Sequence, residues 1–304
     1  MAAINSPRRR RWALLTLAVV VTVGAASCTP TSLPTGERVR NQALWTMPLD
    51  EFYVYSPELD NYAEQLQIAE CVRAQGREWP VPWQNTDFPQ AENVNPARLR
   101  LFTVDIAREW GYRLAPPADP ESARLWEEFA ATADALFPDA ELDEIVLECT
   151  DEVRTVDVKF TATFDGINYL SGLALQAEEI VLQDPAVIDA TDRWRDCLEP
   201  LVSFSLRSVR DPWTEMPPNS AATAWGAAPD GTGTPSAEEL AAAVADAECR
   251  DSSGLSDARY DKSWDEQQNL VHQNRDKLDR IREAAAERKA KLLTIVAENA
   301  PKAP

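Results

Sequence analysis

The 304-residue chain is poor in the residues from which catalytic and metal centres are usually built. It contains one histidine, His272, and ten glycines. A metal cluster or a Ser-His-Asp triad on His272 has little support, and no glycine-rich phosphate loop is present. Adjacent carboxylates such as Glu127 and Glu128 point about 100° apart on a helix and do not face each other. We therefore predict no catalytic residue, no metal and no cofactor.

Basic residues are also scarce, at 30 against 50 acidic residues. Four of them, Arg8 to Arg11, precede an uncharged run from Trp12 to Ala26, which is the layout of an export signal. The run is shorter than the roughly 20 residues that cross a bilayer. Without this signal peptide, residues 1–27, the chain has 26 basic and 50 acidic residues, a net charge of −24. Such a charge repels nucleic acid and anionic headgroups, so we predict no nucleic-acid partner.

Cys28 stands directly after the signal. Ala25-Ala26-Ser27-Cys28 resembles the lipobox of bacterial lipoproteins, with alanine at position 25 where leucine is usual. The resemblance implies that Cys28 becomes the first residue of the mature chain and carries diacylglycerol. An ordinary secretory signal is the alternative, but it would leave a lone thiol in an oxidising compartment. We predict a lipid anchor at Cys28, on the extracytoplasmic face of the cell membrane, followed by a flexible tether over residues 28–50.

The other four cysteines, Cys71, Cys149, Cys197 and Cys249, are an even number in an exported chain and predict two disulfides. Their wide spacing excludes a zinc knuckle or a CxxC pair. Each follows an acidic residue, which disfavours the thiolate that a catalytic cysteine needs. Three pairings are open. We favour Cys71 with Cys149 and Cys197 with Cys249, because these bridges join consecutive helical units and close the shorter loops.

Helix-start signals recur along the chain as a capping residue followed by proline. They occur at Ser56-Pro57, Asn95-Pro96, Asp119-Pro120 and Asp184-Pro185. Apolar residues recur with a helical period after each of them. We predict an all-α, disulfide-stapled domain over residues 51–297. Its parts are a first cysteine-pair unit (51–183), a second (184–254), a long helix (255–297) and then a disordered tail (298–304).

Residues 153–164 fit two periods. Valines and phenylalanines from Val156 to Phe164 alternate with polar residues, as in a half-buried strand. The helical period also fits, through Val153, Phe160 and Ile167. The nearest strand partner, Phe52 to Tyr55, is short. We favour helix and keep one short strand pair as the alternative.

The C-terminal third has the clearest pattern. Ser236-Ala-Glu-Glu239 is a capping box, and Gly254 marks the end of the helix that follows it. Beyond Gly254, residues recur with gaps of four and three in a heptad seam. They are Tyr260, Trp264, Gln267, Val271, Asn274, Leu278, Ile281, Ala285, Arg288, Leu292 and Ile295. One hairpin partner cannot cover so long a helix, so we predict that part of the seam is exposed and binds a protein partner.

Two loops rich in tryptophan and proline are the other candidate binding surfaces. Residues 77–89 contain Trp79 and Trp83, and residues 210–235 contain Trp213 and Trp225. Rings on stiff loops can stack on sugars or hold a peptide. The alternative, that they fold back over the core, is the more frequent fate of large rings.

Two motifs surround the third and fourth of these cysteines. In the first, Asp184-Pro-Ala-Val187 leads into Trp194-Arg-Asp-Cys197, and in the second, Ala245-Asp-Ala-Glu-Cys-Arg250 is followed, after Asp251, by Ser252-Ser-Gly-Leu255. These motifs resemble those of actinobacterial cell-envelope lipoproteins of unknown function. Residues 71–76 and the long C-terminal helix are also similar. This chain departs after the third cysteine, where Leu198-Glu-Pro200 stands in place of a methionine and a later glycine. The resemblance implies an exported, lipidated, disulfide-bonded helical protein, and no activity.

We therefore predict a non-enzymatic scaffold or protein-interaction module of the cell envelope with an envelope protein as its partner. The alternative is a ligand- or glycan-binding lipoprotein that serves a transporter or the cell wall. The alternating strand and helix pattern of typical solute-binding proteins is missing from the sequence.

Overall fold

The computed structural model describes residues 39–54, 56–86, 102–114, 119–136, 139–156, 159–208, 215–227, 231 and 233–303. The regular structure in these ranges is helical throughout. The α-helices are α1 (Pro57–Ala74), α2 (Val104–Trp110), α3 (Pro120–Leu136), α4 (Ala140–Val156), α5 (Lys159–Val181), α6 (Pro185–Leu198), α7 (Asn219–Ala224), α8 (Ala237–Ser253) and α9 (Leu255–Asn299). Three short 3-10 helices span Gln42–Leu44, Pro48–Phe52 and Glu199–Leu201. The predicted all-α, disulfide-stapled fold is confirmed.

Helix α9 is the element that most of the other helices share. Its 45 residues make a rod of about 67 Å. At its start, Leu255 lies in a core cluster with residues of α6 and α8. In the middle, Leu270 and Leu278 pack with α5 and the Pro48–Phe52 turn. Near its end, Leu292 enters the core of α1, α3 and α4. The molecule is therefore built along α9, with a different set of helices at each level.

The heptad seam is present, but the prediction that it is exposed to a partner is wrong. Leu278 has none of its surface exposed, and Trp264, Ala285 and Leu292 are buried as well. No single helix covers α9, because α6, the Pro48–Phe52 turn, α5 and α1 each cover part of it. The seam is internal core, assembled from successive short partners.

The predicted tether, residues 28–50, ends earlier than expected. Met47 and Leu49 are buried with Phe52, and Met47 lies in one apolar cluster with Tyr260 and Trp264. The Tyr260 hydroxyl donates to the carbonyl of residue 46 at 3.2 Å. The prediction is wrong for this part of the segment, because its scattered apolar residues fill gaps along α9 instead of facing water. Residues 28–38 lie outside the described residues.

Three of the four predicted helix starts are confirmed. The Ser56 hydroxyl accepts the N–H of Leu59, and the carboxylates of Asp119 and Asp184 accept backbone N–H groups in the first turns of α3 and α6. Asn95-Pro96 lies outside the described residues. Helix α2 begins only at Val104, where the Thr103 side chain supplies the cap.

The boundaries near the C-terminus also differ from those expected. Gly254 separates α8 from α9 with φ of 72°, in the left-handed region that glycine tolerates. The predicted disordered tail from residue 298 is wrong at its start. Glu298 and Asn299 belong to α9, and Ala300 packs against the core of α1 and α4.

The strand alternative for residues 153–164 is wrong for the described part of the chain. Helix α4 runs to Val156, and α5 starts at Lys159. The proposed strand partner contains Phe52, which ends a 3-10 helix. Val158 and Tyr55 lie outside the described residues. Burial explains the outcome: α5 places Gly166, Leu170 and Leu173 inside at a helical spacing.

Within the described ranges, we find no helix that combines the length and the apolar character needed to cross a membrane.

The burial of Leu278 predicts a large loss of stability on truncation. Leu278→Ala should lower the free energy of unfolding by about 2–5 kcal/mol, because it leaves a cavity between α9 and α5. Chemical denaturation followed by circular dichroism measures the loss. Leu147→Ala, on an exposed position of α4, is the matched control and should change stability by less than about 0.5 kcal/mol. Equal effects of the two changes would contradict the internal position of the seam.

Candidate functional site

Two disulfides join pairs of helices. Cys71–Cys149 links α1 to α4, and Cys197–Cys249 links α6 to α8, with Cα atoms 5.7 Å apart in both. The favoured pairing is therefore confirmed. Cys149 and Cys249 are buried in two separate core clusters. Each bridge fixes one helix pair, and α9 then contacts both pairs.

Two of the four tryptophans predicted to bind a ligand belong to the core. Trp79 is 7% exposed, lies edge-on to Phe129 at 5.5 Å, and donates its indole N–H to Gln65 at 2.9 Å. Trp225 is 8% exposed and stacks on Tyr112 at 5.8 Å. The prediction that these two rings form binding surfaces is wrong. They fold back over the core instead, which was the alternative for both loops.

The turn after α1 explains the position of Trp79. Gly76 has φ of 80°, and the N–H of Arg77 returns to the carbonyl of Val72. This reversal directs the chain back along α1 toward Gln65. Trp83, further along the same loop, is half-buried.

Cys28 and Trp213 both lie outside the described residues. The lone histidine, His272, is on an exposed position of α9. The described ranges contain no group of three His, Cys, Asp or Glu side chains able to hold a metal ion.

The feature that the sequence did not predict is a buried charge network between four parts of the chain. Its centre is Asp246 on α8, which is 1% exposed. One carboxylate oxygen accepts the indole N–H of Trp194 and the Nε of Arg250, each at 2.7 Å. The other accepts the Tyr112 hydroxyl at 2.9 Å. Asp246 thus ties α8 to α6 and to the segment after α2.

The network continues from Arg250 toward α5 and α9. Arg250 donates to the carboxylate of Glu215 at 2.8 Å, and Glu215 also pairs with Arg259 of α9. Arg259 pairs in turn with Glu178 of α5. We call Glu178, Glu215, Asp246, Arg250 and Arg259 the Asp246 network. It connects helices that the two disulfides do not join.

The rings around Arg250 complete its environment. Its guanidinium lies over the faces of Trp194 and Phe102, at 5.3 and 5.5 Å from the ring centroids. Planar stacking and fixed donors suit arginine at such a buried position. All five charged groups of the network have opposite-charge partners, which is the condition for burying them without a large penalty.

Burial and neighbouring charges shift the pKa values of Arg250 and of its neighbour Tyr112. Burial disfavours the charged form of Arg250, but the carboxylates of Asp246 and Glu215 raise the pKa of Arg250 above its ordinary value. Burial, followed by the charge of Asp246, raises the pKa of Tyr112 well above 10. Tyr112 therefore remains a hydrogen-bond donor at neutral pH. The arrangement is suited to holding helices in place.

A second buried pair lies beside the network. Arg113 donates to the Glu239 carboxylate in a bidentate arrangement, with distances of 2.7–2.9 Å. The capping-box residue Ser236 accepts the N–H of Glu239 as predicted, while the Glu239 side chain serves this long-range pair. Gly111 stands two residues before Arg113 and has φ of 58°. A Cβ at this position would lie 3.1 Å from the Glu239 carboxylate. The close approach accounts for glycine at this position.

No protein-family model, curated protein or solved structure matches the chain.

Removal of the disulfides tests how much each of them stabilises the fold. Removing either bridge by Cys71→Ser/Cys149→Ser or Cys197→Ser/Cys249→Ser should lower the free energy of unfolding by about 2–5 kcal/mol, since each closes a long loop in the unfolded chain. Thermal denaturation with and without reductant measures it. The variant that lacks both bridges should be insensitive to reductant, and an equally insensitive wild type would contradict the prediction.

Neutralising the centre of the network should be costly. Asp246→Asn removes a charge from buried Arg250, and we expect a loss of about 3–5 kcal/mol in the free energy of unfolding. Asp251→Asn, at an exposed position of the same helix, is the control and should be near neutral. Urea titrations of the two variants compare them directly. A small effect of Asp246→Asn would show that the helices hold their places without the network.

Proposed function

We propose that the protein is a lipid-anchored, extracytoplasmic lipoprotein of the cell envelope that acts as a non-enzymatic scaffold for a protein partner. The observation that carries the proposal is the pair of disulfides in the folded body. Disulfides form and persist in oxidising compartments, outside the cytoplasm. They support the export that the N-terminal arginines and apolar run predict.

The cysteine count supports an anchor at Cys28. The two bridges use four of the five cysteines, which leaves Cys28 as the odd one in the sequence. Its position after Ala25-Ala26-Ser27 is that of a lipobox cysteine. The acidic chain has no general attraction for anionic headgroups, so membrane attachment is assigned to the lipid. The resemblance to actinobacterial envelope lipoproteins agrees with this assignment.

The fixed internal construction supports a scaffold role. Carboxylates of the Asp246 network bind arginine, tyrosine and tryptophan donors and are engaged in holding the helices together. Covalent bridges fix two helix pairs, and α9 runs past both. A body held in this way presents its outer helix faces in constant positions, which favours recognition with little ordering cost.

The alternative of glycan or ligand binding depends on exposed tryptophans. Trp79 and Trp225 are core residues, so two of the four rings assigned to it are engaged inside the body. We therefore favour the scaffold over the ligand-binding lipoprotein.

Expression of the full chain in a bacterium with lipoprotein processing tests the anchor. We expect wild type and Thr29→Ala to partition into the detergent phase and to carry a lipid mass on Cys28, since both keep the thiol. Cys28→Ser should lose the lipid and partition into the aqueous phase after export. Mass spectrometry of the N-terminal peptide provides the measurement, and an unmodified Cys28 in the wild type would refute the anchor.

The scaffold role is tested by cross-linking in the native membrane, followed by identification of the cross-linked peptides. The proposal expects peptides that join outer faces of this body to another envelope protein. A chain that cross-links only to further copies of itself would refute the heterologous partner, while leaving the lipid anchor unaffected.

A further inference from the structure

Each disulfide has one cysteine near the surface and one in the core. Cys71 and Cys197 are half-buried, whereas Cys149 is fully buried and Cys249 is 1% exposed. A thiolate opens a disulfide by attacking one sulfur and displacing the other. Access therefore directs a thiolate from solvent to the sulfur of Cys71 in the first bridge and to that of Cys197 in the second. The surroundings of these two outer sulfurs decide how readily each bridge opens.

The outer sulfur of the first bridge lies beside a carboxylate. Glu152, three residues after Cys149 on α4, has its Oε2 atom 3.8 Å from Cys71 Sγ. The side-chain amide of Gln75 lies 4.0 Å from the same sulfur and 3.5 Å from Cys149 Sγ. A thiolate that approaches Cys71 therefore meets a negative charge and an amide group that covers both sulfurs.

The outer sulfur of the second bridge has different neighbours. The hydroxyl of Ser252, which is neutral, lies 4.0 Å from Cys197 Sγ. Arg193, one turn before Cys197 on α6, donates to the Ser253 carbonyl at 2.8 and 3.1 Å. This bond places a guanidinium at the carbonyl end of α8, where the helix dipole would otherwise disfavour a thiolate. A positive charge close to a cysteine favours reaction through the thiolate.

The acidic residues that precede the cysteines in the sequence do not create this difference. Each of the four cysteines follows an aspartate or a glutamate, so both bridges carry the same contribution. The contrast comes from side chains that the fold brings to the sulfurs. They are Glu152 at the first bridge, and Ser252 with Arg193 at the second.

The second bridge can open without separating its two helices. Trp194 of α6 donates its indole N–H to Asp246 of α8 at 2.7 Å, and the bond from Arg193 to the Ser253 carbonyl joins the same helices. Both donors lie within about one turn of Cys197. The helices therefore stay together when the sulfur bond breaks, and Cys249 remains within reach of Cys197.

We propose that Cys197 is a site of reversible modification by low-molecular-weight thiols, and that the Cys71–Cys149 bridge is shielded from the same reagents. The thiolate attacks Cys197 Sγ and forms a new S–S bond. The bond between Cys197 and Cys249 breaks, and its electron pair stays on the sulfur of Cys249, which takes up a proton. In the reverse step the Cys249 thiolate attacks Cys197 and releases the small thiol. The protein disulfide is itself the oxidant, so no other reagent is required.

This exchange goes beyond the scaffold function and does not depend on the lipid anchor. It would also proceed on a chain without a protein partner, so the two proposals can fail separately.

The order in which the bridges open tests the proposal. The oxidised full-length chain in non-ionic detergent is treated with mercaptoacetate and quenched at intervals with N-ethylmaleimide, and mass spectrometry of its peptides locates both groups. We expect mercaptoacetate on Cys197 and maleimide on Cys249 while the Cys71–Cys149 bridge is still intact. Faster or equal opening of the first bridge would overturn the proposal, as would an adduct on Cys249 or no adduct on either bridge.

The shielding of the first bridge is tested by changing Glu152 and the charge of the reagent. At low ionic strength, Glu152→Gln should speed the opening of this bridge by mercaptoacetate about fivefold, the factor for one unit charge at about 4 Å in water. Cysteamine, whose ammonium group offsets its thiolate, should show a smaller gain. Glu144→Gln, at another exposed position of α4, is the matched control and should change neither rate. Equal effects of the two substitutions would refute the shielding.

The guanidinium at the second bridge is tested in the same way. Arg193→Gln should slow the formation of the Cys197 adduct by mercaptoacetate several-fold and leave the first bridge unchanged, with circular dichroism to confirm folding. Arg124→Gln, at an exposed arginine of α3, is the control. An unchanged rate in the folded Arg193→Gln variant would show that this charge does not promote the exchange.

Discussion

The constraint on which the structure depends is the length of α9. A helix of 45 residues with an apolar side must keep that side out of water along its whole length. No other described helix is comparable, since α5, the longest of the others, has 23 residues. The chain meets the constraint by laying several short elements along α9 in turn. The 3-10 turn before α1 is one of them, which is why Leu49 and Phe52 are buried so early in the sequence.

Because each short element that packs on α9 has only a small apolar core of its own, apolar contacts alone fix its neighbours weakly. The two disulfides address it locally, by joining α1 to α4 and α6 to α8. The Asp246 network addresses it over longer distances, through directional bonds between α5, α6, α8 and α9. Buried ion pairs add little net stability, but they penalise wrong arrangements in which a charge loses its partner. Bridges and ion pairs therefore fix which helices are neighbours, while apolar burial supplies most of the stability.

Features with a local cause could be predicted from the sequence. Capping residues before proline at positions 56, 119 and 184 predicted helix starts, and Gly254 predicted a helix end. The cysteine pairing could also be predicted, because bridges between consecutive helical units close shorter loops than the crossed pairings do. What covers the heptad seam could not be predicted, since its partners come from four separate segments. The fate of Trp79 and Trp225 depended in the same way on tertiary contacts.

The Asp246 network, too, could be predicted from the sequence only in part. Asp246 and Arg250 are four residues apart on one helix, a spacing that already suggests an ion pair. Glu215, Arg259 and Glu178 are distant in sequence, and nothing local marks them as its continuation. A buried polar cluster of this kind is visible only when the helices are in place.

The early attachment to α9 has a mechanical consequence for any chain held at its N-terminal end. Arg40 pairs with Asp261, Gln42 donates to Asp257 at 2.6 Å, and Trp45 lies edge-on to Tyr260 at 5.0 Å. A load applied at residue 39 is therefore passed to the first turns of the longest helix. If those contacts break, two segments still cannot be extended, because a disulfide closes each of them. They are the loops of 78 residues between Cys71 and Cys149 and of 52 residues between Cys197 and Cys249. The molecule has a limited reach under tension, set by its two sulfur bridges.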